Sequence, residues 1–593
     1  MRTHVPRHVR FSILISLFIA AAVPVFLAVA SPQQQVSASN DGPRSIPGFP
    51  VIVRGIPNTG KGFFIPPPAP KMRISPNAPK AASFNITYSS NFPTEARTAF
   101  QYAVNIWAGL LDSPVTINIM ANWISLGNGV LGSAGTMSLN RNFPGAPAAN
   151  TWFPDALTDK RTCSSYGGMP FDIVANFNSD INLNDWYFGT DGAVLGDQWD
   201  FATVALGELA HGFGFASSFT TIDGGDGYWD HHQDPDIGTP EIYTRFVRDG
   251  TSTETAIISY TSPSGALASA LRGHEGGLFW TGQFATAGNG GTQPTLYSPN
   301  TWRAGSSFSH FDQATYVTEL MNPDLPQGVA IHNPGSRTLG VLRDIGWGDE
   351  LVIHAFGYDT SRVVEWVQLR NNASVSVNLS DYAIGDEEDQ STTDEGMFML
   401  PNVDVAPGAL FTMRVRSDGD WTTAYPGDPN PTYCWNCTSG YTNLTQYSLW
   451  GGTSGALDDA GDEIVLLRTN GGTADLDGTL DDFITDALCY GSGQTYVDTN
   501  GSGSLNGRDK YIFTDSSCLG LLASGSFQRN SPVEACVPST ALTDNPTAVS
   551  VESIEASALT ADQPAPASLW PLSVMAMLLL ASGLIIFRSH SNK

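Results

Sequence analysis

The sequence predicts an α+β domain followed by an all-β domain, and three observations carry that division. From about Asn85 apolar residues recur at helical and then at strand spacing, up to about Trp347. From about Asp349 short apolar runs alternate with turns, and no helix-period segment of any length interrupts them. The two ends, Phe11 to Ala30 and Leu569 to Phe587, are apolar runs set apart from both. A chain of 593 residues exceeds one ordinary domain. Its 14 tryptophans and 30 phenylalanines supply bulky cores, while 60 glycines and 38 prolines fit a loop-rich protein with much β structure.

Element by element, Ile86 to Tyr88 reads as a short strand and Pro93 opens a helix. Phe100, Val104, Trp107 and Leu111 form one apolar stripe on that helix, and Asp112-Ser113-Pro114 ends it. Val115 to Ile119 and Phe171 to Ala175 read as strands, and Thr203 to His211 as a helix that ends at glycines. In the later part the strand signals are Leu351 to Ala355, Val363 to Leu369, Ala409 to Val415 and Ile464 to Leu467, a spacing that suggests a β-sandwich.

The ends bear on location. Arg2, Arg7 and Arg10 precede the first apolar run, and Ala28-Val29-Ala30 has the small-residue form of a cleavage site, so residues 1–30 read as a signal peptide. Residues 569–587 carry no charge and are long enough to span a bilayer; the basic tail 588–593 is expected on the cytoplasmic side. The expectation is an exported, cell-surface protein anchored by one membrane pass. Between these ends, residues 31–82 are proline-rich and read as a linker or pro-segment, 83–348 as the α+β domain, 349–537 as the sandwich and 538–568 as a flexible stalk. A net charge of −28 excludes a nucleic-acid partner, since phosphate binding needs basic patches. The six cysteines, in an exported setting, favour disulfides over thiolate metal sites. Cys434-Trp435-Asn436-Cys437 has C-x-x-C spacing, and Cys163, alone in the first domain, is expected to be unpaired.

The chemistry centres on Gly207-Glu208-Leu209-Ala210-His211. Zinc peptidases use H-E-x-x-H, in which two histidines one helical turn apart bind the metal and the glutamate is the general base. Here the glutamate and the second histidine stand in place, and the first histidine is Gly207. A third ligand must come from downstream, and Ser309-His310 is the best candidate, followed by Glu319-Leu320-Met321-Asn322-Pro323. His231 and His232 are the nearest pair to stand in for the missing ligand, with His274 a further one. Five aspartates between Asp223 and Asp236 offer clustered oxygens of the kind calcium takes.

Glu208-Leu-Ala-His211-Gly-Phe-Gly-Phe215, a long insertion, His310 and then Glu319-Leu-Met321-Asn-Pro together resemble the metzincin zinc peptidases, and most closely their leishmanolysin-like branch. The resemblance implies a metzincin-like fold over 83–348, zinc on His211 and His310, Glu208 as the catalytic base, Met321 as the methionine beneath the metal, and a protein or peptide as substrate or ligand. It departs at Gly207, which leaves two of three zinc histidines and puts zinc occupancy and hydrolysis in doubt. Val364-Glu-Trp366-Val-Gln-Leu369, Asn378 to Ile384 and Asp459 to Leu466 resemble the lamin-tail domain, which implies a non-catalytic, immunoglobulin-like sandwich over 349–537 and a role in surface binding or adhesion.

Overall fold

A computed structural model describes residues 43–58, 60, 62–70, 81–143, 146–148, 150–221, 225–229, 239–348, 351–358, 364–372, 376–386, 396–416, 419–424, 429–447, 457, 461–469, 483–491, 496–497, 511–512, 526–529 and 542–544. The segments at 1–30 and 569–587 lie outside the described residues. No helix among the described residues is long and apolar enough to cross a membrane.

The protein is mixed α and β, with strands predominating. The first strands are β1 (Arg44–Pro47), β2 (Val51–Ile56), β3 (Phe63–Ile65) and β4 (Phe84–Tyr88). Helix α1 (Thr94–Leu110) follows, then β5 (Ile117–Ile124), β6 (Val130–Thr136), β7 (Ser138–Arg141) and the short β8 (Phe153–Pro154). Helix α2 (Asp155–Thr162), β9 (Ile173–Asn178) and helix α3 (Phe201–Gly212) complete the part that positions the site.

The main sheet has six strands, in the order Asp324–Pro326, β2, β6, β9, β5, β4. Strands β4, β5 and β9 run parallel, and β6 is antiparallel to both of its neighbours, β9 and β2. Residues 44–65 therefore correct the reading of 31–82 as a linker. Val51 and Val53 alternate inward and are buried, so the segment has the period-two pattern of a half-buried strand. Its proline density disguised that pattern.

Helix α1 packs on α3. Phe100, Val104, Trp107 and Leu111 are all buried, and the Trp107 indole donates to the Leu206 carbonyl at 3.1 Å. Helix α3 is buried on every side, which suits its almost unbroken apolar sequence. Asp200 caps it by accepting from the Thr203 amide at 2.7 Å. His332 holds that cap: its Nε2 is 2.8 Å from Asp200 Oδ2, and its Nδ1 is 3.1 Å from the Tyr102 hydroxyl.

One apolar cluster runs from Val53 to Trp347, and a second from Leu351 to Tyr490. The second is shared by two sheets. One is built on Leu351–Gly357, Trp366–Asn371 and Leu410–Arg416, the other on Tyr382–Gly385, Gly461–Arg468 and Phe483–Gly491. Val367 and Leu369 face the shared core, whereas Val364 and Trp366 turn to the other face and pack with Ala355 and Trp421. Leu542–Asp544, read as stalk, instead pairs with Ser526–Arg529 and extends the first sheet. Arg468 links the two parts: its guanidinium donates to the Asp344 carbonyl and lies 5.3 Å from the Phe284 ring centroid.

Cys434 and Cys437 form a disulfide. Cys163 is disulfide-bonded as well, which corrects the expectation that it is unpaired. Counting cysteines per domain misjudged it, because a bond can join residues far apart in the chain.

Candidate metal centre

The end of α3 shapes the first histidine. Gly214 takes φ +109°, and its amide bonds to the His211 carbonyl at 3.0 Å while the Phe215 amide reaches Ala210. This left-handed turn favours glycine and closes the helix. It also brings the Phe215 carbonyl back to His211, whose Nδ1 lies 2.7 Å from it. His310 is held in the same manner by the Ser306 carbonyl, 2.7 Å from its Nδ1. The neighbouring Ser309 hydroxyl accepts from the Ser217 amide at 3.0 Å, which ties the two loops together.

The two imidazoles, ninety-nine positions apart in the numbering, lie with ring centroids 4.8 Å apart. A carbonyl only accepts, so each Nδ1 carries a hydrogen, and a neutral ring then leaves its lone pair on Nε2. Both Nε2 atoms are buried and without a hydrogen-bond partner. Burial pushes His211 well below the ordinary imidazole value, with the adjacent His310 acting in the same direction. Burial likewise lowers His310 to about 4. Two neutral rings, each fixed through Nδ1 and bare at Nε2, are the arrangement that a metal-ligating histidine adopts.

Glu208 points from the same helix toward β6. A Cβ on Gly132 would stand 2.6 Å from its Oε1, so that strand position has room only for glycine while Glu208 keeps its place. Neither carboxylate oxygen makes a hydrogen bond of good geometry. Burial raises Glu208 well above the ordinary carboxylate range, and the Val53 and Ala134 amides offset this only in part.

Among the described residues nothing substitutes for a ligand at Gly207. A Cβ there would meet only Leu320, at 3.8 to 3.9 Å. The small cavity beside it is lined by Gly207, Val53, Thr203 and Leu320, together with Glu319 and Asp324. Arg303 engages both oxygens of Asp324 at 2.8 Å, whereas Arg337 meets Glu319 only at Oε1, 2.5 Å away, and leaves its Oε2 buried without a hydrogen-bond partner. Met321 is buried one residue beyond Leu320, and its carbonyl accepts from the Phe311 amide next to His310. Among the described residues no His, Cys, Asp or Glu side chain makes a trio of donors with His211 and His310 within 4.8 Å. Glu208 is thus not a third ligand. His231 and His232 lie outside the described residues, as does most of the aspartate-rich loop from 223 to 236. His274 sits beyond the helix Gly265–Leu271, where its amide bonds to the Ser269 carbonyl.

A catalytic zinc ion takes three protein ligands and keeps one position for water. The described residues offer two, so they do not fit a complete site of that kind. Comparison with protein-family models and with curated protein sequences gives no match for this chain.

Proposed function

We propose that the protein is an exported, membrane-tethered relative of the metzincin peptidases that no longer hydrolyses peptides. Its all-β part is then a lamin-tail-like, immunoglobulin-like module that serves recognition at the cell surface. The single observation behind this reading is the pair His211 and His310, prepared as ligands through their Nδ1 contacts, beside a helix position that carries no side chain. Losing one hydrogen-bond partner of a metal-ligating side chain already costs about 10–100-fold in affinity, and a missing ligand costs more.

Two further features favour loss of hydrolysis. Burial raises the Glu208 carboxyl well above the ordinary carboxylate range and so favours its protonated form, which cannot accept a proton from water. The edge of β6 beside Glu208 is also filled by β2 in antiparallel register, with Val53 opposite Gly132. An extended peptide adding to that edge would have to displace a strand of the protein itself.

A second reading has one observation in its favour. Both orphaned Nε2 atoms still suit a divalent cation held weakly by two imidazoles. One experiment addresses both readings: the purified full-length chain is assayed with quenched fluorogenic peptides, with and without chelator, alongside Glu208→Ala. No chelator-sensitive turnover above that of the variant is expected. Chelator-sensitive cleavage that Glu208→Ala abolishes would overturn the proposal.

A further inference from the structure

A second set of buried donors lies at the start of α2 and the head of β9. Asp155 is the first residue of α2, Asp159 lies one turn on, and Asp172 immediately precedes β9. Residues four apart share a helix face, so Asp155 and Asp159 project the same way. One oxygen from each of the three carboxylates lies within 4.8 Å of the others, and all three residues are at most 3% exposed.

Each carboxylate is fixed by a donor outside the cluster. Asp155 Oδ1 accepts from Asn140 Nδ2 at 2.8 Å, Asp159 Oδ1 from the Tyr166 amide at 2.7 Å, and Asp172 Oδ2 from the Asn118 amide at 2.6 Å. Asp159 Oδ2 is buried with no hydrogen-bond partner. The Ser138 hydroxyl, which is not part of the trio, is 3% exposed, makes no hydrogen bond of good geometry and lies beside Asp155, whose pKa it lowers. Burial pushes Asp155 up to about 7 and raises Asp159 and Asp172 too, with the carboxylates' mutual repulsion adding to the effect on Asp155 and Asp159. Three carboxyls at such close range cannot all be charged without a compensating cation or protons.

We propose that Asp155, Asp159 and Asp172 form a binding site for a divalent calcium ion, with the Ser138 hydroxyl as a further oxygen donor. The donor set is all oxygen and anionic, which suits a hard cation and not one that prefers imidazole or thiolate. Calcium tolerates irregular geometry and both one- and two-oxygen carboxylate contacts, as three side chains from a helix and a strand end would present. The ion ties the first turns of α2 to the sheet. Through Asn140, which also accepts from the Ser45 hydroxyl, it braces β1 against β7. Pro154, next to Asp155, is the wall against which Gly214 turns after His211: a Cβ on Gly214 would lie 2.8 Å from its Cγ. The site is independent of the histidine pair and of any reading of that pair.

The test uses the full chain, stripped with chelator and titrated with calcium chloride by calorimetry and by thermal unfolding. One calcium per chain and a raised Tm are expected, and Asp159→Asn should weaken binding by at least about tenfold and remove the Tm shift. Ser138→Ala leaves the three carboxylates in place and should weaken binding by a smaller factor, so the site is tested even if Asp159→Asn fails to fold. Absence of calcium uptake by the wild type, or equal uptake by the wild type and both variants, overturns the proposal. Were the acids simply sharing protons, calcium would leave the Tm of every form unchanged.

Discussion

The histidine pair and the aspartate trio are both buried sets of donors with unpartnered atoms, and burial acts on them in opposite senses. Exclusion of water favours the neutral form of any group. For His211 and His310 the neutral form is the one with a free lone pair, so burial makes them ready ligands at ordinary pH. For Asp155, Asp159 and Asp172 the neutral form is the protonated one, so burial opposes ligation until a cation displaces the protons. On the readings proposed above, the pair is poised and, among the described residues, short of one ligand, whereas the trio would have its ligands and be held back by its protons. On those readings, affinity at the first would be limited by the missing side chain at Gly207, and at the second by pH.

That contrast gives the two sites opposite pH slopes. A lowered imidazole pKa means that the unfolded chain binds more protons, so the stability contributed by the pair is present above about 6.5 and is lost as pH falls toward about 4. Raised carboxyl pKa values mean that the folded chain binds more protons. The trio's contribution is therefore full in acid and is lost as pH rises through about 7. The largest effect is expected at the pair. In the presence of chelator, His310→Gln should remove about 3 kcal/mol of the stability difference between pH 7.5 and pH 4, measured by denaturant unfolding. Parallel pH profiles for wild type and variant would break the contrast. A smaller effect is expected at Glu208. Because burial favours the neutral form of its carboxyl, Glu208→Gln should change the unfolding free energy at pH 7 by less than about 1 kcal/mol. A loss of several kcal/mol would mean that the carboxylate is charged and compensated.

The two sites also differ in how far the sequence reveals them. Glu208 and His211 stand at a recognisable helical spacing, and His310 precedes a methionine segment, so each drew notice before any geometry was known. The apolar stripe on α1 was legible for a similar reason, since Phe100, Val104, Trp107 and Leu111 keep one helical period and are buried together. The trio is split between a helix start and a strand start, and nothing in its spacing brings Asp172 to Asp155. One signal was present: aspartates at i and i+4 on an eight-residue helix repel each other, and α2 bears that cost for a reason outside itself. Strand β2 is hard to read from sequence because prolines flank it, and its alternation of Val51 and Val53 is too short to stand out.

The most direct measurement concerns the empty helix position. Gly207→His restores the side chain one turn before His211, where a Cβ meets nothing closer than 3.8 Å. Zinc binding to the chelator-stripped full chain should be weak or absent in the wild type. In the variant it should rise to one tightly held ion per chain, at least about 100-fold tighter. A wild-type chain that already retains one zinc through His211 and His310, with no gain in the variant, would contradict the claim that Gly207 is what this centre lacks.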